Sequence, residues 1–409
     1  MGDLGGAGQY LRPVTVTVLV RCVRGLEWVA ADELAAAVGP DRTVQAGHRE
    51  LAVQLPAEGL AGLAGLRCAD DVLVRVGATT GPVRSAPVTE LVRRLDGLEW
   101  FAAVSAVRGV RPVPQRPRID VVAAVTGLRR LTRFDVEQAV GPVLAGALGG
   151  RYLARGPGGM VARPAGRTEE PADLTVRLFV GPHQVVAAVR LGVAPLHRRG
   201  YKLDTGPGTL HPPVAAAIVR LAGPLDGLTV LDPFCGDGTI PIEAALAAGS
   251  ATVIGADLDL ARLAHARANR DRAGVRLELR AEDAVAGEWD RVDRVDRVDR
   301  VLTNPPWNLT VDAAGGLVGS LARFWRGLPA RLSPGGLVCA FTQADLDVPA
   351  ALARQGFAVG LSPRLRVAGR VVHLILAAAP GAEPPVPTRS LVGWRERMIE
   401  AGVVTEEGF

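Results

Sequence analysis

The segment Asp232 to Glu243 contains two glycines, Gly236 and Gly238, between an apolar run at 228–231 and an alanine-rich stretch at 240–248. This order predicts a strand, a tight turn and a helix. Because glycine lacks a Cβ, the turn can approach a ligand closely, and the free N–H groups at the start of the helix favour a nucleotide-like ligand. The turn is therefore a candidate site for an adenosine cofactor, with an ordinary tight turn as the alternative.

Acidic residues at the ends of two later apolar runs would complete such a site. A run at 251–256 ends in Asp257, about 20 residues past the glycines, where a carboxylate can accept both ribose hydroxyls. Asp283 closes a third short strand at 276–280. A dinucleotide-binding fold would explain the glycines equally well, but it requires a third glycine where Pro241 stands. Hydride transfer is therefore disfavoured.

A second segment, Asn304-Pro305-Pro306-Trp307, follows the apolar stretch Val298 to Thr303. It is expected at the carboxyl end of another strand, where open α/β sheets bind their ligands. A turn that simply ends a strand is the alternative, since Pro and Asn both favour turns. Together with the glycine turn, this tetrapeptide resembles the Asn/Asp-Pro-Pro-aromatic motif of class I S-adenosylmethionine-dependent methyltransferases that act on amino groups.

The resemblance implies a role for each matching residue. Asn304 and the Pro305 carbonyl would accept hydrogen bonds from an exocyclic amine, which favours a pyramidal nitrogen with its lone pair towards the methyl donor, and Trp307 would stack on the base. Asp232, Asp257 and Asp283 would orient the amino, ribose and adenine groups of the cofactor. The implied catalytic residues are Asn304, Pro305, Pro306 and Trp307. The implied cofactor-binding residues are Asp232, Pro233, Cys235, Gly236, Gly238, Thr239, Asp257, Leu258, Asp283, Ala284 and Asn304.

The expected fold class is α/β, with a Rossmann-like methyltransferase domain of seven mostly parallel strands at 205–380. Its antiparallel edge is expected from a hairpin of 357–367 with 370–379, after a strand at 337–342 that follows a Pro-Gly-Gly turn. About 200 residues remain before this domain, enough for a further module. There, strands at 119–125, 174–180 and 185–191 surround a helix at 135–148.

This amino-terminal half resembles the RNA-binding modules that precede such methyltransferases. Phe134 to Gly141, Leu174 to Val180 and above all Leu196-His197-Arg198-Arg199-Gly200-Tyr201 resemble a THUMP domain, assigned to 101–195. Arg24-Gly25-Leu26-Glu27 with Glu33-Leu34 resembles the ferredoxin-like lead-in, assigned to 14–100. The half is therefore expected to be α+β and to bind RNA.

Basic clusters support an RNA partner. The formal charge is +5 and the isoelectric point about 9.5, which permits a polyanionic ligand. Arginine clusters could grip phosphates, and Tyr201 could stack on a base, although solvated surface is the alternative for any one cluster. The expected RNA-binding residues are Arg129, Arg130, Arg198, Arg199, Tyr201 and Lys202.

As a whole the chain resembles THUMP-containing guanine-N2 RNA methyltransferases, most of all those that act on tRNA. A 23S rRNA guanine, a DNA adenine or a protein glutamine are alternative acceptors, and a non-catalytic RNA-binding protein is an alternative of another class. Three positions depart from the family pattern. His211 stands where Lys or Arg is usual and is expected to be an ordinary surface residue near the interdomain junction, with a phosphate contact as the alternative. Asn308 replaces a glycine, and Trp307 replaces the commoner tyrosine.

The remaining expectations concern compartment and assembly. The four cysteines show no paired short spacing, so neither a zinc site nor a disulfide framework is predicted. The sequence contains no run of 18 or more apolar residues, so no membrane span is predicted. The chain is expected to be a cytoplasmic monomer without a metal. An Arg-Val-Asp repeat at 290–301 is expected to form an exposed loop or to lead into a strand. The Pro-rich stretch 380–387 is expected to be flexible, and the residues beyond it carry no recognisable signal.

Overall fold

The computed structural model describes residues 14–39, 41–81, 83, 88–154, 172–203, 205–206, 208–285, 297–307, 321–367 and 369–408. Within these residues the chain forms two sheets of eight strands each, one built by each half of the chain.

The amino-terminal sheet has the order β2-β3-β1-β4-β8-β7-β5-β6 and is mainly antiparallel, with β5 parallel to both β6 and β7. Its elements are β1 (Thr15–Cys22), α1 (Glu27–Val38), β2 (Val44–Gly47), β3 (Glu50–Pro56), β4 (Ala69–Thr80), α2 (Val88–Asp96), α3 (Trp100–Val110), β5 (Arg118–Val125), α4 (Arg133–Ala147), β6 (Arg151–Tyr152), β7 (Leu174–Val180) and β8 (Gln184–Arg190). The helices α3 and α4 pack against strands of this sheet, which confirms the predicted α+β character.

The two modules predicted in this half share one sheet. β4, from the segment assigned to the ferredoxin-like lead-in, pairs with β8, from the segment assigned to the THUMP domain, between Leu73↔Arg190 and Thr80↔Gln184. The division at residue 100 therefore falls within a part of the chain that is connected by hydrogen bonds between strands. It stays a prediction about sequence modules.

The carboxy-terminal sheet has the order β11-β10-β9-β12-β13-β16-β14, with β15 also paired to β16. Its elements are α5 (Pro212–Leu221), β9 (Thr229–Asp232), α6 (Thr239–Ala247), β10 (Thr252–Asp257), α7 (Leu260–Ala273), β11 (Glu278–Ala281), β12 (Val298–Thr303), α8 (Ala322–Gly327), β13 (Leu332–Gln343), α9 (Val348–Arg354), β14 (Ala358–Leu361), β15 (Arg364–Val367) and β16 (Arg370–Ala378). The first five strands in this order are parallel, and β16 is antiparallel to its neighbours. The predicted Rossmann-like sheet with an antiparallel edge is confirmed.

Two details of this sheet differ from the sequence prediction. The single strand expected at 357–367 is divided into β14 and β15, because Pro363 between them cannot donate a ladder hydrogen bond. The turn expected at 334–336 lies inside β13 as an irregularity, since β12 pairs with Leu332 before it and with Leu337 after it.

The end of the chain forms a tenth helix, α10 (Arg389–Glu400), which packs against α1. Its buried side chains are Leu391, Trp394 and Met398, spaced by three and four residues along one helix face. A segment for which the sequence analysis found no signal therefore joins the two halves, and one continuous hydrophobic cluster extends from the amino-terminal sheet through α5 to α10.

Two further findings concern the described residues alone. No helix among them is long and apolar enough to cross a bilayer, and they contain no group of three His, Cys, Asp or Glu that could hold a metal ion. Most of the Arg-Val-Asp repeat lies outside the described residues, and its end forms the start of β12, whose bounds are those predicted. Asn308 also lies outside them.

Candidate active site

The carboxyl ends of the central parallel strands open into one cavity of about 510 Å³. Nearly all of the residues predicted for cofactor and acceptor line it together. Its lining includes Asp232, Pro233, Cys235, Gly236, Thr239, Asp257, Leu258, Asp283, Ala284, Asn304, Pro305, Pro306 and Trp307. Two motifs about 70 residues apart in sequence are thereby brought to one site, because β9 and β12 are neighbours in the sheet.

The glycine turn requires glycine at both positions. Gly236 and Gly238 have φ values of +52° and +80°, in the left-handed region that other residues rarely adopt. A Cβ on Gly236 would lie 2.5 Å from the nearest guanidinium nitrogen of Arg262. The Asp257 carboxylate accepts a hydrogen bond from the Gly236 N–H at 2.8 Å, so the acidic residue after β10 also fixes the turn after β9.

Asp232 lies at the end of β9 with only 2% of its surface exposed, and it accepts a hydrogen bond from the Phe234 N–H at 3.1 Å. Burial raises the pKa of this carboxyl to about 8, and the Asp257 carboxylate adds to the effect. Cys235 is buried beside it, and burial raises the pKa of its thiol, so the side chain packs as a neutral group. Asp283 accepts a hydrogen bond from the Val285 N–H at 2.8 Å and faces the same cavity.

The acceptor side of the cavity is formed by the tetrapeptide after β12. The carboxamide oxygen of Asn304 is buried and has no hydrogen-bond partner among the residues that the structure describes. Leaving a buried acceptor unpaired costs about 1–3 kcal/mol, which a bound N–H donor would recover. Trp307 packs at 40° against Phe341 of β13, with ring centroids 5.7 Å apart, so its ring is supported from within the core.

His211 belongs to this site, and the expectation that it is an ordinary surface residue is wrong. It precedes α5, lines the cavity and is 35% exposed as a side chain. Its Nε2 lies 2.7 Å from Oδ1 of Asp70, a residue of β4 in the amino-terminal sheet. That contact joins residues 141 positions apart, so no local sequence pattern could have indicated it.

Asp237 and Arg262 were also missed by the sequence analysis. The Asp237 carboxylate, which is fully buried, accepts a hydrogen bond from the Gly206 N–H at 2.8 Å and another from the Thr209 hydroxyl. It also forms an ion pair with Arg262 of α7 at 2.8 Å. The segment that leads into the carboxy-terminal half is thereby held as a wall of the cavity. The only sequence signal was the position of Asp237 between the two glycines.

The predicted RNA-binding residues divide into two groups. Arg129, Arg130 and Arg198 are exposed, so phosphates could reach them, and their RNA contacts stay a prediction. The expectation is wrong for Arg199 and Tyr201. The Arg199 side chain is 7% exposed and Tyr201 is 6% exposed, and both side chains bind Glu243.

Lys202 does not present an RNA-binding surface either. Its ammonium group donates to the Leu210 carbonyl at 3.2 Å and to the Thr239 hydroxyl at 3.1 Å, beside the glycine turn. Burial lowers its pKa to about 8. The prediction fails for all three residues for one reason. They lie in the connection between the two halves, and their polar groups bind other parts of the protein.

Comparisons with known proteins agree with this geometry. Residues 199–369 match the family model described as UPF0020, RMKL-like, methyltransferase domain. The chain is 32% identical over 326 residues to the tRNA (guanine(6)-N2)-methyltransferase of Thermus thermophilus, covering 78% of this chain and 86% of that protein. It is 28% identical over 231 residues to the ribosomal RNA large subunit methyltransferase K/L of Methylococcus capsulatus, covering 44% of this chain and 31% of that protein.

A solved structure extends the likeness to both halves. The crystal structure of TrmN from Thermus thermophilus superposes with a TM-score of 0.63 at 27% identity, covering 90% of this chain and all of that chain. The match therefore includes the amino-terminal sheet as well as the cavity. With the glycine turn, the acidic strand ends and the Asn-Pro-Pro-Trp segment in one site, the chain belongs to the RMKL-like family of S-adenosylmethionine-dependent methyltransferases.

Proposed function

We propose that this protein transfers a methyl group from S-adenosylmethionine to the exocyclic N2 amine of a guanosine in tRNA. The observation that supports this most directly is the buried Asn304 oxygen, which has no hydrogen-bond partner in the described part of the chain and lies in the same cavity as the glycine turn. The Thermus thermophilus relative that matches 78% of the chain is named for guanine-N2 methylation of tRNA.

The cavity fits an adenosylmethionine. The left-handed turn at Gly236 has no Cβ and lets the backbone approach a ligand closely, and Leu258, which is 45% exposed, offers an apolar surface for the adenine. Asp257 uses its two oxygens for the Gly236 and Asp259 N–H groups, and each oxygen keeps a lone pair for the ribose hydroxyls. When bound, the cofactor supplies an electrophilic methyl group on a sulfonium sulfur.

Asp232 makes cofactor binding dependent on pH. Because the pKa of Asp232 is about 8, its carboxyl is mostly protonated at pH 7. We assign the ammonium group of the cofactor to this side chain, and a bound ammonium favours the ionised carboxylate. Protons therefore compete with the cofactor, and its Kd should fall as pH rises, by about 20-fold between pH 6 and 7.5, a range in which most of the cofactor ammonium remains charged. Titration calorimetry in two buffers of different ionisation enthalpy should record close to one proton released per cofactor bound at pH 7.

The matched control is Asp232→Asn, which keeps the shape of the neutral acid and cannot titrate. This variant should bind the cofactor more weakly at pH 7.5, with a Kd that varies little over the same pH range. A wild-type Kd that is flat between pH 6 and 7.5 would refute the assignment of Asp232 to the ammonium.

On the acceptor side, Asn304 and the Pro305 carbonyl position the amine. Both accept hydrogen bonds from its two N–H groups, which turns the nitrogen lone pair towards the methyl group. As the new C–N bond forms, the C–S bond breaks and its electron pair stays on sulfur. The amine then carries a positive charge and loses one proton to water, so no strong base is needed.

Trp307 would hold the base flat against the pocket. A guanosine paired in a stem must be extruded to reach Asn304, at a cost of a few kcal/mol. Stacking on an aromatic ring returns roughly 1–3 kcal/mol, and Phe341 supports the indole from behind. The tryptophan therefore keeps the stacking function of the commoner tyrosine.

The amino-terminal half would bind the RNA. We assign phosphate contacts to the exposed arginines Arg129, Arg130 and Arg198, and we keep the ferredoxin-like and THUMP assignments as part of the proposal. We also propose that the protein acts as a monomer in the cytoplasm, and its four free cysteines are in keeping with a reducing compartment.

The test uses purified protein, radiolabelled S-adenosylmethionine, and separated tRNA and rRNA from a host that lacks this gene. We expect label in tRNA, identified by mass spectrometry as N2-methylguanosine at one position. Label confined to rRNA would favour the activity named for the Methylococcus relative, and absence of label from both would contradict catalysis on RNA.

A further inference from the structure

The carboxylate of Glu243 is a point at which both halves of the protein meet. Glu243 lies in α6, and its side chain is completely buried. It accepts hydrogen bonds from Nε of Arg67 at 2.5 Å, from Nε of Arg199 at 2.9 Å and from the Tyr201 hydroxyl at 2.8 Å. These four residues are called the Glu243 junction below.

The four members of the Glu243 junction come from three parts of the chain. Arg67 precedes β4 of the amino-terminal sheet, and its N–H donates to Glu33 of α1 at 2.8 Å. Arg199 and Tyr201 belong to the connection between the halves, where Arg199 also donates to the Arg67 carbonyl at 2.5 Å. The amino-terminal half, the connection and α6 are therefore joined at one carboxylate.

The Glu243 junction is directly connected to the active site. Glu243 lies four residues, or about one helical turn, after Thr239, which lines the cavity. A buried carboxylate requires all of its donors in a fixed geometry, because the loss of any one leaves charge unpaired in a medium of low dielectric constant. The orientation of the amino-terminal half relative to the cavity is thus set by specific bonds in addition to apolar contact.

We propose that Glu243 is a specificity-determining positioning residue, which selects the methylated nucleotide by fixing the RNA-binding half relative to the active site. This inference rests on the proposed function. If the amino-terminal half grips the RNA and Asn304 receives whichever base is within reach, the angle between the halves determines the target. Successive bases of a stacked strand lie only a few ångströms apart, so a shift of that size brings a neighbouring nucleotide to the pocket.

The test compares the wild type with Glu243→Gln, whose amide cannot accept from all three donors. On unmodified tRNA we expect methylation at guanosines next to the natural target to rise at least tenfold relative to wild type, together with a higher KM for tRNA. The Kd for S-adenosylmethionine should stay within twofold of wild type, because Glu243 does not line the cavity. Glu278→Gln is the matched control, since that carboxylate pairs with Arg280 on the exposed edge strand.

Arg67→Ala provides a second, independent variant in case Glu243→Gln does not fold. It removes the one side chain of the Glu243 junction that comes from the amino-terminal half. Because the Arg67 side chain is 30% exposed, its removal disturbs the core less, and the variant should give the same spread of methylation sites. A folded variant of either kind that is slower than wild type but methylates the same single guanosine would overturn the inference. A wild-type protein that labels no RNA would overturn the proposed function first, so the two failures are distinguishable.

Discussion

Replacing Asn304 by alanine should lower kcat for methyl transfer by about 10²- to 10³-fold, the usual effect of removing one preorganised hydrogen-bonding group from an active site. The Asn304 oxygen is a buried acceptor without a partner among the described residues, so we expect its stabilising contact to form only when the amine is bound. The cofactor contacts assigned to the glycine turn, Asp232 and Asp257 remain in the variant. Its Kd for S-adenosylmethionine should therefore stay close to that of the wild type.

Single-turnover rates with saturating tRNA separate this effect on chemistry from any effect on binding. Asn304→Asp is the matched control, because aspartate keeps an acceptor oxygen at the same place and is the other residue found at this position of the motif. It should retain more activity than Asn304→Ala. If the alanine variant instead loses cofactor affinity and keeps its rate at saturation, Asn304 holds the cofactor and another group positions the amine.

The parts of this site that the sequence predicted share a physical property: each depends on residues close to one another in the sequence. An apolar run followed by Gly236 or by Asn304 predicts a strand end, because glycine, proline and asparagine act on the few residues around them. Parallel pairing then brings separate strand ends to one edge whatever lies between them, so Asp257 joined the same cavity as predicted.

The parts that the sequence did not predict depend on contacts between distant segments. Arg199 and Tyr201 have the composition of an RNA-binding cluster, and only the position of Glu243, more than 40 residues away, shows that their polar groups are already bound. His211 is likewise placed by Asp70. Charge and aromatic character alone do not distinguish a surface that binds RNA from a junction that binds protein.

The final helix is a different case, because a local signal was present. Leu391, Trp394 and Met398 follow the spacing of one helix face, which predicts an amphipathic helix. The Pro-rich stretch at 380–387, which precedes these residues, predicts a flexible segment instead. Their burial against α1 shows that the carboxy-terminal segment helps to hold the amino-terminal half, together with the Glu243 junction.

Replacing Asp257 by alanine should have the opposite signature to Asn304→Ala. The variant loses the two charge-assisted hydrogen bonds that we assign to the ribose, worth about 3 kcal/mol together, so the Kd for S-adenosylmethionine should rise about 100-fold. It also frees the Gly236 N–H that Asp257 now holds at 2.8 Å, which loosens the turn. At saturating cofactor, however, the amine is still positioned by Asn304, and the rate of transfer should approach that of the wild type.

Calorimetry gives the cofactor Kd, and a single-turnover rate at high cofactor concentration gives the chemical step. Asp257→Asn separates the two roles of the carboxylate, since its amide oxygen can still accept from the Gly236 N–H while one ribose contact is lost. It should lie between wild type and Asp257→Ala in affinity. Asp257 ends β10 and Asn304 follows β12, with β9 between the two strands. Equal losses of cofactor affinity in both alanine variants would mean that the cavity acts as one undivided site. Separate losses would establish that cofactor binding and amine positioning belong to different strand ends.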